Sequence, residues 1–229
     1  MKRSEINREI RYAEQLFAKY RFVLPRFANW SPADWKAQQG VQEILDCELG
    51  WDITDFGRGD YLHEGLFLFT IRNGKLGSAQ YPKTYAEKIM LLHPGQTCIY
   101  HCHECKREDI INRGGGKLAF RLYNRKGKPG DKPELDDTPV HIMRDGQELV
   151  IPAGEELVLG TGESITLTPN LFHSFYPATN EDVMIGEVSS VNDDHTDNTF
   201  LEQVGRFPEI EEDEPVYRYL VCDYAKYLR

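Results

Sequence analysis

The sequence predicts an all-β protein, a sandwich or jelly roll, with helices at its N-terminal end. Three observations point there. From Gly50 to about residue 190, short runs of aromatic and β-branched residues recur at close spacing, divided by clusters of glycine, proline and aspartate. Before Gly50 the apolar residues fall at helical spacing instead. No run of alternating strand and helix units, the mark of a parallel sheet, is visible anywhere. At 229 residues the chain is long enough to bury a substantial core, as one large all-β domain or two small ones.

Ser4 is placed to cap a first helix running to about Tyr20, with Ile6, Ile10, Ala13, Leu16 and Phe17 on one face. Ser31, with Pro32 in the first turn, starts a second, and Val41, Ile44 and Leu45 suggest one more short helix. Strands follow. Asn73-Gly74 is a tight-turn signal, and Glu87 to Leu92, Lys117 to Tyr123, Thr138 to Met143, Glu148 to Ile151, Glu156 to Leu159 and Ser164 to Leu167 read as strands. The tail from Asn192 is acidic and loop-like. Its Glu209 to Glu214 run reads as a solvated charge cluster and Val216 to Cys222 as one last strand.

The chemistry concentrates in Gly95 to Gly116, GQTCIYHCHECKREDIINRGGG. Strand alternation puts Thr97, Ile99, His101 and His103 on one face and Cys98, Tyr100 and Cys102 on the other. A His-x-His pair is also what a solvent-facing polar stripe looks like. Glu108, five residues further on, supplies the carboxylate that makes a three-ligand site for a divalent ion. A competing pattern is Cys98-x3-Cys102-x2-Cys105, the spacing of a radical iron–sulfur site; it needs three converging thiolates inside a β/α barrel, which the strand pattern does not provide.

Gly95, His101, His103, Glu108 and Gly115 resemble, position by position, the first motif of the cupin superfamily. After Gly162, the segment leading through Pro169 to His173 resembles the second motif. It departs from it in a longer gap before Pro169, a shorter gap to His173 and a missing glycine between the two. More specifically, YAEKIMLLHPGQ, HCHECKREDIINRGGG, EVSSVNDDHTDNTFL and GRFPEIEEDEP resemble the D-lyxose isomerases, sugar ketol-isomerases acting on free lyxose and mannose.

That resemblance implies a cupin double-stranded β-helix, a jelly-roll barrel with N-terminal helices packed on it: one domain over 1–229, with a helical extension to about 48, the barrel over about 60–190 and a tail over about 191–229 returning to it. It implies a manganese-dependent enzyme, with Co2+, Fe2+ and Zn2+ as alternative ions, usually dimeric, its metal held by His101, His103, Glu108 and His173. Lys106, Asp193, Glu202 and Arg206 are the implied substrate handlers. The departures in the matching segments are Cys102 and Cys105, which bear on oxidation sensitivity.

Aldose–ketose interconversion needs a base beside the C2 hydrogen and a positive centre for the developing enediolate charge. Glu202 is the leading base, in a tail able to fold over the barrel mouth, and Lys106 can stabilise a sugar oxygen or shuttle its proton. Glu87 and Lys88 could also approach a barrel lumen and, with Glu187 and Asp193, stay unplaced; Glu187, Glu87 and Asp193 are the alternative bases. A cupin dioxygenase using the same ligands with iron, and a non-catalytic sugar-binding cupin, are the other function classes. The net charge of −10 argues against nucleic-acid and anionic-membrane partners. The N-terminus lacks an apolar signal core, and five cysteines without a disulfide-like framework suit a reducing compartment, so cytoplasm is the expected location.

Overall fold

The computed structural model describes residues 1–205 and 208–228. Helix α1 (Arg3–Lys19) buries Ile6, Ile10, Ala13, Leu16 and Phe17, the stripe that the spacing predicts. Each of the buried Ile, Leu and Phe side chains contributes about 1.5–3 kcal/mol. Its start differs from the expectation: the helix begins after Lys2, whose backbone N–H donates to Glu5, while Ser4 bonds through its N–H and hydroxyl to the Asp213 carboxylate. Helix α2 (Pro32–Ala37) is capped by Ser31 as expected, in a reciprocal bond with Asp34. Helix α3 (Gln42–Asp46) is the short third one.

Fourteen strands follow among the described residues: β1 (Gly50–Thr54), β2 (Leu66–Arg72), β3 (Tyr85–Leu92), β4 (Cys98–His103), β5 (Glu108–Gly115), β6 (Leu118–Arg125), β7 (Leu135–Asp136), β8 (Val140–Arg144), β9 (Gln147–Ile151), β10 (Glu156–Leu159), β11 (Ser164–Leu167), β12 (Leu171–Pro177), β13 (Val183–Ser190) and β14 (Asn198–Phe200). All pairings between these strands are antiparallel. One sheet runs β1-β2-β3-β13-β5-β11-β8-β9 and the other β10-β6-β12-β4-β14. Strands distant in sequence lie side by side, and the chain crosses between sheets at the β4–β5 turn, giving the double-stranded β-helix that the motifs imply.

Several strands of the larger sheet are buried on both faces, which explains why they read as continuous apolar runs rather than alternating ones. Leu66, Leu68, Met90, Leu92, Val183 and Ile185 point into the barrel against Phe120, Leu122 and Phe175 of the facing sheet. Their neighbours Phe67, Phe69, Ile89, Leu91 and Met184 point outward into a second core shared with α1. The helices thus cover the back of the sheet that carries half the cavity.

Three local expectations are corrected. On β4, His101 pairs with His173 and Cys98 with Phe175, so two residues of β4 lie between these pairs against one of β12. The extra residue is a bulge. It breaks the alternation, so Cys98 faces the barrel interior together with His101 and His103 instead of opposite them. Asn73-Gly74 makes no two-residue hairpin: β3 starts only at Tyr85, and Asn73 is a buried hub of hydrogen bonds. Val216 to Cys222 forms no strand, only an isolated bridge from Leu220 to Trp51 before a 3-10 turn (Val221–Asp223) and helix α4 (Tyr224–Tyr227).

The acidic run is solvent-exposed, as expected, and it is also tied to the start of α1. The fully buried Arg3 guanidinium donates to Glu212 at 2.8 and 3.0 Å and to Asp223 at 2.9 and 2.8 Å, clasping the tail to the start of α1. The Arg3 hydrogen bond holds the Glu212 carboxyl at about 2, below its usual 4.5. Because the folded value is the lower one, this contribution is complete above about pH 4.5 and is lost as pH falls towards 2. Arg3→Leu, which leaves the buried Asp223 without its cation, is expected to cost about 3 kcal/mol. Urea unfolding at pH 7 and pH 3 measures it, and the cost should shrink at the lower pH.

Candidate active site and metal centre

The antiparallel pairing of β4 with β12 sets His173 directly across from His101. Their ring centroids stand 4.1 Å apart, with His103 5.3 Å from the first and 5.7 Å from the second. One nitrogen from each of the three rings lies within 4.8 Å of the others. Backbone carbonyls only accept, so the contacts of His101 Nδ1 with Ile99 O (2.8 Å) and His173 Nδ1 with Leu171 O (3.0 Å) fix Nδ1 as the protonated nitrogen. Both rings therefore turn an Nε2 lone pair towards the cavity. Burial holds the His101 imidazolium pKa well below its ordinary value and that of His173 down to about 4, so both are neutral ligands at neutral pH.

Glu108 arrives from the opposite sheet at the start of β5. Its Oε1 lies 3.2 Å from His103 Nε2 and 3.3 Å from His173 Nε2, and its Oε2 lies 2.7 Å from Lys106 Nζ. Burial raises its pKa, but the neighbouring Lys106 ammonium outweighs that, and it stays ionised well below the ordinary carboxylate range. Glu108 Oε1 and His173 Nε2 are buried without a hydrogen-bond partner. Two electron-rich atoms left facing each other in a low-dielectric interior are costly unless a cation sits between them. Three imidazoles and a carboxylate fit a divalent first-row metal ion.

Around this set lies a cavity of about 790 Å³, its mouth included, walled by Leu66, Leu68, Met90, Ile110 and Phe175. Within it Lys106 is 3% exposed and Lys88 5%, yet both keep counter-charges. Lys106 Nζ donates to Glu187 Oε1 at 3.0 Å as well as meeting Glu108, and Lys88 Nζ stands 3.6 Å from the same Glu187 oxygen and 3.7 Å from Asp194. Burial lowers the Lys106 pKa, but Glu108 and Glu187 raise it further, so it remains an ammonium. In the segment after β13, β14 pairs with β4, and Asp194, Asn198 and Phe200 line the cavity. Asp197 fixes the Lys106 turn by accepting from the Cys105 and Lys106 N–H groups at 2.7 and 2.9 Å.

Residues 1–224 match the family model described as D-lyxose isomerase. The chain belongs to the D-lyxose isomerase family. It is 45% identical over 231 residues, 100% of both chains, to the D-lyxose/D-mannose isomerase of Serratia proteamaculans. It is 43% identical over 230 residues, 99% of this chain and 100% of the relative, to the D-lyxose/D-mannose isomerase of Escherichia coli O157:H7. Among solved structures it resembles the ligand-free L-ribose isomerase of Cellulomonas parahominis, with TM-score 0.62 over 92% of this chain and 98% of that one. At 17% identity, that likeness shows the shared fold. The protein is a sugar isomerase.

In this member of the D-lyxose isomerase family His101, His103, Glu108, His173 and Lys106 come together, as the sequence suggests. The other implied substrate handlers lie apart from them. Glu202 is 70% exposed beyond the mouth and paired with Arg58 at 2.5 Å. Asp193 turns its carboxylate to its own loop, accepting from His195 N, Thr196 N and Thr196 Oγ1. Arg206 lies outside the described residues. Of the unplaced residues, Lys88 and Glu187 belong to the cavity, whereas Glu87 pairs with Arg72 at 2.9 Å on the outside. A signal for both was present: Lys88 is in phase with the inward Met90 and Leu92, and Glu187 with the inward Val183 and Ile185. The three clustered cysteines do not converge, since Cys98 lines the cavity, Cys102 is buried beside Arg125 and Cys105 is exposed.

His173→Ala removes one lone pair of the set and leaves the strand pairing intact. Elemental analysis after metal loading is expected to show metal lost from this variant, with its far-UV circular dichroism unchanged. Full occupancy would remove His173 from the ligand set.

Proposed function

We propose that this protein interconverts a free aldose and its 2-ketose, D-lyxose with D-xylulose and D-mannose with D-fructose. The ion is proposed to be Mn2+, held by His101, His103, Glu108 and His173. The observation that carries the reading is Glu187, a carboxylate 4% exposed, set in the same cavity as the ligand set and beside two ammonium groups. The bound ion would supply the positive centre on which enediolate charge is stabilised.

The chain's own groups account for the proton movements. Glu187 takes the proton from C2 as the C1=C2 bond forms and the carbonyl electrons move to O1. It then returns the proton to C1, while the O2 hydroxyl gives up its proton, O1 gains one and the C2 carbonyl forms. Lys106, kept charged, holds Glu108 and Glu187 in place and stabilises a sugar oxygen. The apolar wall from Leu66 to Phe175, with Phe200 at the mouth, keeps water from the carbanionic carbon. Glu202, the base that the tail motif suggests, is exposed and paired with Arg58, so the base role is proposed for Glu187 and a rim contact for Glu202.

The five free thiols support a cytoplasmic location. No helix among the described residues is long and apolar enough to cross a membrane. A homodimer is proposed with it, for which the exposed Tyr85 and Val188 on the neighbouring β3 and β13 offer apolar surface.

Glu187→Gln keeps the shape and removes the proton acceptor. Initial-rate assays with D-lyxose are expected to show kcat reduced about a hundredfold to ten-thousandfold with metal content unchanged. Glu202→Gln should stay within about tenfold of the parent, the scale of a lost rim contact. The reverse ranking would return the base role to Glu202.

A further inference from the structure

Asn73 touches neither the cavity nor its ligands, yet its side chain is nearly completely buried and fully bonded. Its Oδ1 accepts from Gly74 N and Asn192 N, each at 3.0 Å, and its Nδ2 donates to Asn192 O at 2.9 Å and to Cys47 O at 3.4 Å. One side-chain amide thus grips both backbone polar groups of Asn192, as a neighbouring strand would. Asn192 follows the end of β13 and leads into the segment over the mouth. A Cβ on Gly74 would come within 1.9 Å of Lys83 O, so the backbone next to Asn73 is itself packed against the segment leading into β3.

What Asn192 does with that fixed backbone is specific. Its side-chain Oδ1 accepts from Lys88 Nζ at 2.7 Å and from Lys106 Nζ at 3.3 Å. The same two ammonium groups flank Glu187 Oε1 at 3.6 and 3.0 Å. Two cations this close repel each other, and a shared neutral acceptor offsets that without adding a charge for them to collapse onto. Lys88 comes from β3, Lys106 from the β4–β5 turn and Glu187 from β13, so no single element fixes their mutual positions.

We propose that Asn73 is a positioning residue of the isomerase site: through the backbone of Asn192 it places the amide oxygen that holds Lys88 and Lys106 apart around Glu187. The inference rests on the isomerase reading above. Misplacing reacting groups by about an ångström costs up to about a hundredfold in rate.

A double-mutant cycle of Asn73→Ser and Asn192→Ala tests it, with kcat and KM for D-lyxose, metal content and thermal midpoint measured for each protein. Each single substitution is expected to lower kcat by about tenfold to a hundredfold, with KM and metal content little changed. The double variant should be no slower than the slower single one, because both changes break one chain of contacts. Effects on kcat that multiply, or a fall in the thermal midpoint with kcat intact, would overturn the proposal. Should Asn73→Ser fail to fold, Asn73→Asp keeps both accepted bonds and serves in the same cycle with the same outcomes. A parent protein that turns over no sugar would instead count against the isomerase reading, which separates the two failures.

Discussion

Burying Lys106 between Glu108 and Glu187 is the constraint on which the rest of the site depends. An ammonium 3% exposed inside an apolar barrel survives only if its desolvation is offset by partners held at fixed distance. Those partners come from different parts of the fold: Glu108 from the start of β5, Glu187 from β13 and the Asn192 amide from the loop after it. Closing the barrel assembles the charge network, and the network in turn specifies how the barrel closes. Its other consequence is chemical. Glu108 stays ionised and keeps one oxygen unpartnered beside the imidazoles.

The larger sheet serves two cores at once. Its inward residues shape the cavity, and its outward ones dock α1 and the segment after it, so the helices stiffen the strands that carry Lys88 and Glu187 without touching either. The clasp of Arg3 on Glu212 and Asp223 ties the two ends of the chain over that same face. The smaller sheet contributes the imidazoles, and the tautomers of His101 and His173 are set by carbonyls of their own strands, two residues back in each case.

The sequence makes much of this legible for stated physical reasons. His101, His103, Glu108 and His173 stand at fixed spacings because a strand, a turn and an opposed strand leave little freedom in how a ligand set is built. Lys88 and Glu187 are harder to see, since a charged residue in phase with an apolar face reads equally well as an edge position; only their pairing across β3 and β13 shows that each answers the other. The Cys98 bulge was not visible, because the extra residue on β4 is defined by its partner strand rather than by its own composition. Asn73 misled in another way: a residue suited to turning the chain is equally suited, when buried, to imitating a strand edge. The acidic run is solvated, as its composition implies, but its clasp on Arg3, more than two hundred residues earlier, leaves no local mark in the sequence.

The central claim is that a carboxylate in this cavity carries a carbon-bound proton between C1 and C2 of a free sugar. Metal-loaded protein incubated with D-lyxose in deuterium oxide under nitrogen, with the product followed by proton and carbon NMR, tests it most directly. The account requires D-xylulose carrying solvent deuterium at C1. Ketose formed at full rate with no deuterium on carbon even after prolonged equilibration, or sugar left unchanged, would contradict it.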